Sequence, residues 1–182
     1  AASSVAVGAR ALQAVTTGVG NTAIGKGALQ INTTQSYNTT VGDQAGYKVN
    51  TASNTIMGAR AGEKLAGGSG FNTHIGAWSG RGDSDTYSGS YNTTVGAYTM
   101  GDTSLADANY NTIVGFEAGK AITGGDNNTL IGVHAGNDLT TGEKNTVLGT
   151  WAFASGTSSW NTILGYSAGN KMTSGEENTF VG

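Results

Sequence analysis

The chain has 182 residues, 31 of them glycine, with no proline, no cysteine and only 12% charged side chains, against typical values of ~7% glycine and ~25% charge. Its net charge of −3, with nine Lys and Arg scattered singly, offers no basic stripe for phosphates, so nucleic acid is not an expected partner. The lack of cysteine excludes a disulfide scaffold, and no apolar run approaches the ~20 residues that span a bilayer, so membrane insertion of this segment is not expected.

The first element is SVAVG at Ser4, and its pattern returns along the whole chain. NTAIG begins at Asn21, NTTVG at Asn38, NTIMG at Asn54, NTHIG at Asn72, NTTVG at Asn92, NTIVG at Asn111, NTLIG at Asn128, NTVLG at Asn145, NTILG at Asn161 and NTFVG at Asn178. Successive spacings are 17, 17, 16, 18, 20, 19, 17, 17, 16 and 17. Glycines in phase with aliphatics signal specified backbone geometry rather than a linker. Residues 1–182 therefore read as one repeat array of about eleven coils, a fragment of a longer fibrous protein.

Each word predicts a short strand and each glycine a corner with φ > 0 or a neighbour pressed against it. A period near 17 has room for two short strands and two turns, whereas helical repeats run to ~33 residues or more. The expected fold is all-β, a parallel β-solenoid whose rungs stack ~4.8 Å apart into a rod on the order of 50 Å long. Asn tolerates left-handed corners, and its amide can accept from one neighbouring coil and donate to another. A structural ladder is thus expected through Asn21, Asn38, Asn54, Asn72, Asn92, Asn111, Asn128, Asn145, Asn161 and Asn178.

Alternation along a strand puts the Thr and the fourth residue of the word on one face and the third residue on the other. The fourth residue is never polar, from Val7 and Ile24 to Val181, and is expected inside together with the Thr. Three residues past the glycine a small side chain recurs, as Ala28, Ala61, Ser79 and Ala135, predicting a second inward wall. Four residues further on, Val15, Val49, Leu65, Ile122, Leu139 and Met172 supply an aliphatic cap that fails at Asp83 and Thr103.

The third residue is then expected outside. There Ile113, Leu130, Val147, Ile163 and Phe180 would form an exposed apolar stripe, and copies of the same chain are the economical cover. These five are the expected seam of a homotrimer. Burying them would contribute roughly 1.5–3 kcal/mol each as an upper estimate.

SVAVG at Ser4 and NTAIG at Asn21, each with a small residue three positions past the Gly, resemble the head repeat of YadA-like trimeric autotransporter adhesins along the whole chain. That resemblance implies a left-handed parallel β-roll, intertwined or packed as a trimer, in an extracellular adhesive role. The chain departs from that family in its longer repeat and in Thr rather than Ser after the Asn. NTxxG arrays at this longer spacing also resemble repeat regions of phage tail fibres and fibre-like surface proteins. The expected function is a non-enzymatic fibre segment of a virion or cell surface, mediating attachment to a host-surface glycan or protein receptor. A bacterial autotransporter head is the nearest alternative, and a tailspike-like glycan depolymerase the alternative of another class.

The array is least regular from Gly76 to Asn111. Trp78, Arg81, Asp83, Tyr87, Tyr91 and Tyr98 are the candidate receptor or glycan residues there, because aromatic faces stack on sugar rings and loops on a rigid scaffold carry specificity. RGD at Arg81 to Asp83 also matches the integrin tripeptide, a three-letter match of little specificity. No cofactor and no metal site are expected. His74 at the third position could meet its symmetry mates in a trimer and hold an ion, but a histidine packed among Thr and Ile is the simpler reading. Paired acids at Asp83 and Asp85 and at Glu176 and Glu177 lack a partner base. A regular Thr ladder could face ice, but placing that Thr inside with the aliphatic argues against it.

Overall fold

The structure, a computed structural model, describes residues 3–65, 67–68, 70–82, 88–101, 107–153 and 155–182. Eleven three-residue strands form one parallel sheet in chain order: Val5–Val7, Thr22–Ile24, Thr39–Val41, Thr55–Met57, Thr73–Ile75, Thr93–Val95, Thr112–Val114, Thr129–Ile131, Thr146–Leu148, Thr162–Leu164 and Thr179–Val181. Register is one to one, with Thr22 on Thr39, Ala23 on Thr40 and Ile24 on Val41, and Thr129 on Thr146 far along the rod. The protein is an all-β solenoid of about ten turns with roughly 17 residues per turn. A second wall pairs Asp138–Leu139 with Ser155–Gly156, also in parallel.

Sharp corners make so short a coil possible. The Gly that ends each word has φ between 125° at Gly8 and 152° at Gly149, which side chains with a Cβ rarely adopt. Space forbids a Cβ as well: one on Gly149 would stand 2.1 Å from the Gly165 carbonyl oxygen. At the opposite end of the strand, the residue before each Asn is also left-handed, including Tyr37 at 61°, Phe71 at 59° and Trp160 at 63°.

The asparagines run up the interior as a ladder. Asn54 donates both its backbone N–H, at 3.0 Å, and its Nδ2, at 2.9 Å, to Asn38 Oδ1. Asn128 and Asn145 repeat the pattern at 3.0 and 3.1 Å. The amide also clasps the return loop of its own coil: Asn111 Nδ2 donates to the Gly125 carbonyl at 2.8 Å and Asn128 Nδ2 to the Gly142 carbonyl at 2.9 Å. Asn21 through Asn161 are all buried.

This ladder reverses the expected facing of the strands. If the Asn side chain is inside, alternation places the third residue of the word inside with it and turns the Thr and the fourth residue out. Accordingly Ala23, Thr40, Ile56, His74, Thr94, Ile113, Leu130, Val147 and Ile163 are all buried within the single chain, none more than 1% exposed. Ile113, Leu130, Val147 and Ile163 are therefore core residues and not a seam between chains. Phe180 has the same parity and is 38% exposed because its strand has a sheet neighbour on one side only. His74 lies inside the coil, so it cannot meet symmetry mates around an ion. None of the Thr residues of the ten NTxxG words is buried, which removes the ground on which an ice-facing ladder was set aside.

The interior is filled by a reciprocal rule. Where the third residue is large, the residue six positions later is Gly, as in Ile56 with Gly62, His74 with Gly80, Ile113 with Gly119 and Leu130 with Gly136. Where it is small, that place holds a large side chain, as in Ala23 with Leu29, Thr94 with Met100 and Val147 with Phe153; Thr40 departs from the rule, with Gly46 opposite it and Val49 and Ile56 filling the space. A Cβ on Gly62 would sit 2.9 Å from Ile56 Cδ1, and one on Gly80 would sit 2.3 Å from the His74 ring. Val49, Leu65, Ile122 and Leu139 close the far side, with Val15 and Met172 packed against it. Asp83 and Thr103, where the cap was expected to fail, lie outside the described residues.

Candidate functional site

The outward sheet face is built from two columns one strand residue apart. Thr22, Thr39, Thr55 and their successors make one, and the aliphatics from Val7 to Val181 make the other. Among these aliphatics Val7, Ile24, Met57, Val95, Ile131, Leu148, Leu164 and Val181 are exposed, from 37% at Val95 to 75% at Val181. Neither column contains a charged residue over all eleven strands. In-register parallel pairing lines the rib up along the rod, one side chain of each column per rung.

Aromatic ladders flank this face on both sides. On the leading side, in the left-handed position before the Asn, Phe71, Tyr91 and Tyr110 stack with ring centroids 5.3 and 5.0 Å apart and planes within 1° of parallel. On the trailing side, just past the glycine, Trp78 stacks on Tyr98 at 6.1 Å, Phe116 meets Tyr98 edge-on at 6.1 Å, and His134 stacks on Trp151 at 3.9 Å. Stacked rings one rung apart are expected to add ~0.5–1.5 kcal/mol per pair beyond area burial. The signal in the sequence is positional: Phe71, Tyr91 and Tyr110 each immediately precede an Asn of the ladder.

The residues singled out for receptor binding fall into distinct places. Trp78, Tyr91 and Tyr98 belong to the ladders. Tyr91 is flanked on both faces by rings of its own chain, and Trp78 has Tyr98 stacked on it and the guanidinium groups of Arg81 and Arg60 over its ring at 4.2 and 4.9 Å. Face-on stacking against a sugar is thus already taken up from within the chain at these two rings. Arg81 pairs with Glu63, Nε to Oε2, at 3.1 Å. Asp83 and Tyr87 lie outside the described residues, and with Asp83 goes the RGD tripeptide.

The interior also holds one chain of polar side chains. His74 Nδ1 lies 2.7 Å from Thr94 Oγ1, which is 2.6 Å from Ser79 Oγ, which in turn is 2.7 Å from Thr99 Oγ1. Thr99 Oγ1 donates a hydrogen bond to the Gly96 carbonyl at 3.1 Å. Burial pushes the His74 imidazole down to about 4, because a charged ring would lose its hydration there. The cluster thus packs a neutral histidine into the core and is closed to substrate. Among the described residues no group of three or more His, Asp or Glu side chains is placed to hold a metal ion.

Searches against protein-family models, curated proteins and solved structures find no match to this chain.

Proposed function

We propose that the chain is a structural segment of an adhesive fibre, a rigid rod that works as a homotrimer on a virion or cell surface. The observation that carries this reading is the uncharged Thr and aliphatic rib, no member of which is buried, running along an in-register sheet of eleven strands. Together its half-open aliphatics offer an area on the order of the ~800 Å² per partner that a stable interface uses. An apolar strip of this length on a soluble chain marks a contact surface. A rod with identical rungs is suited to rotational symmetry about an axis parallel to its length.

In such an assembly the sheet faces turn to the axis and the described parts of the return loops lie outermost. A host-surface glycan or protein receptor would be met there. The role proposed is projection and attachment without catalysis, with the head of a bacterial trimeric autotransporter as the variant of the same mechanism. Sedimentation of the purified rod tests it: three chains per particle is the expected mass, and a stable single chain with its rib in water refutes the reading.

The outward Thr column favours one second reading, an ice-binding face. A flat array of methyl-bearing and hydroxyl side chains repeating every ~4.8 Å along the rod could order water into a lattice. The two readings compete for one surface, so they separate cleanly. Thermal hysteresis from a monodisperse single chain would favour ice, and its absence in an assembled trimer favours the fibre.

A further inference from the structure

We infer that the two aromatic ladders are the two halves of one contact between copies: Phe71, Tyr91 and Tyr110 of one chain pack against Trp78, Tyr98 and Phe116 of the next. This rests on the self-association proposed above and adds the polarity and height at which the copies meet. Three observations carry it. The leading ladder stands at left-handed backbone positions, φ 58–60°, where aromatic residues have no local preference. Its rings are 44–58% exposed, so core burial does not select them either. Other coils place Ser53, Asn127 or Lys144 at the same corner, which shows that the corner itself does not require a ring.

The second observation is height. Tyr91 and Tyr110 precede the strands Thr93–Val95 and Thr112–Val114, and Tyr98 and Phe116 follow those same two strands. Both ladders thus occupy one band of the rod, on opposite flanks of the same uncharged rib. The third is geometry. Rotation about an axis parallel to the rod carries the leading flank of one chain onto the trailing flank of its neighbour at equal height. Antiparallel copies would instead set leading flank on leading flank. Because Phe71, Tyr91 and Tyr110 cover one another's faces and offer their edges, while Phe116 stands edge-on to Tyr98, the partner the leading ladder suits is another row of rings, through edge-to-face packing.

The chain has no cysteine of its own, which makes a thiol pair an unambiguous reporter. Tyr91→Cys and Tyr98→Cys chains, carrying different tags, are co-expressed, checked for native mass, oxidised and run without reductant. The expected result is a shift from the single-chain band to a mixed-tag dimer band, with no dimer from either variant alone. Disulfide formation requires Cα atoms within ~7 Å, so the result reports direct apposition. Dimers from Tyr91→Cys alone would overturn the inference in favour of antiparallel copies. An assembled particle that yields no mixed disulfide would overturn it while leaving the fibre reading intact, whereas a native mass of one chain refutes the fibre reading itself.

Discussion

Asn128 accepts from the backbone N–H and the Nδ2 of Asn145, and itself donates to Asn111 Oδ1 at 3.2 Å and to its own return loop. Asn128→Ala leaves buried donors and acceptors without partners, at ~1–3 kcal/mol apiece before relaxation. The expected outcome is a loss of ~3 kcal/mol in chemical denaturation, against no measurable change for exposed Thr141→Ala. Asn32 is the opposite case. It sits in the cap column between Val15 and Val49, fully buried, with neither side-chain polar atom hydrogen-bonded. Asn32→Val is therefore expected to raise stability by ~1–2 kcal/mol, measured by the same denaturant titration. His74 gives a pH signature. Its folded pKa of about 4 lies below the unfolded 6.5, so between those values the unfolded chain binds the extra proton. Stability therefore falls as pH drops through 6.5 and is lost by about 3 kcal/mol below pH ~4. Substituting Ile, which already fits opposite Gly62 and Gly119, should remove that component; an unchanged pH profile would show that His74 is not its source.

At the scale of the strand, neighbouring residues have opposite fates. Val147 is buried and Leu148, next to it, is 47% exposed. Val147→Asp places a charge in the core and is expected to unfold the coil, seen as lost sheet signal in circular dichroism. Leu148→Asp is expected to keep the fold, with a melting transition in the single chain, and to lose assembly in sedimentation. Equal effects of the two would mean that the strand faces have been misassigned. Existence and position of every strand in the main sheet were legible from the spacing of the words. Their facing was not, because two cues conflicted. Uniform apolarity of the fourth residue suggested burial, while the Asn two places before the third residue pointed that residue inward. The amide ladder decides between them, since a buried Asn must keep its partners and the backbone alternates regardless of hydropathy. Polar members of the inward column, Thr94 and His74, are tolerated because they hydrogen-bond one another.

For the whole molecule, repetition determines shape. Parallel coils that contact only their neighbours add length without enlarging the core, so a rod follows from period and glycine content alone. The reciprocal pairing of large and small residues six apart, such as Val147 with Phe153, was also readable in the sequence once the inward face is known. What the sequence by itself determined is the parallel solenoid, the roughly 17-residue turn, the small-residue wall and the asparagine column, because all of these follow from periodic covalent order and local backbone preference. Which side of each strand meets water, which rings stack into ladders and how the uncharged rib lies between them were decided only by the tertiary structure. Those properties depend on contacts between coils, above all the buried amide ladder that fixes which face of each strand turns inward, rather than on any one residue's own preference.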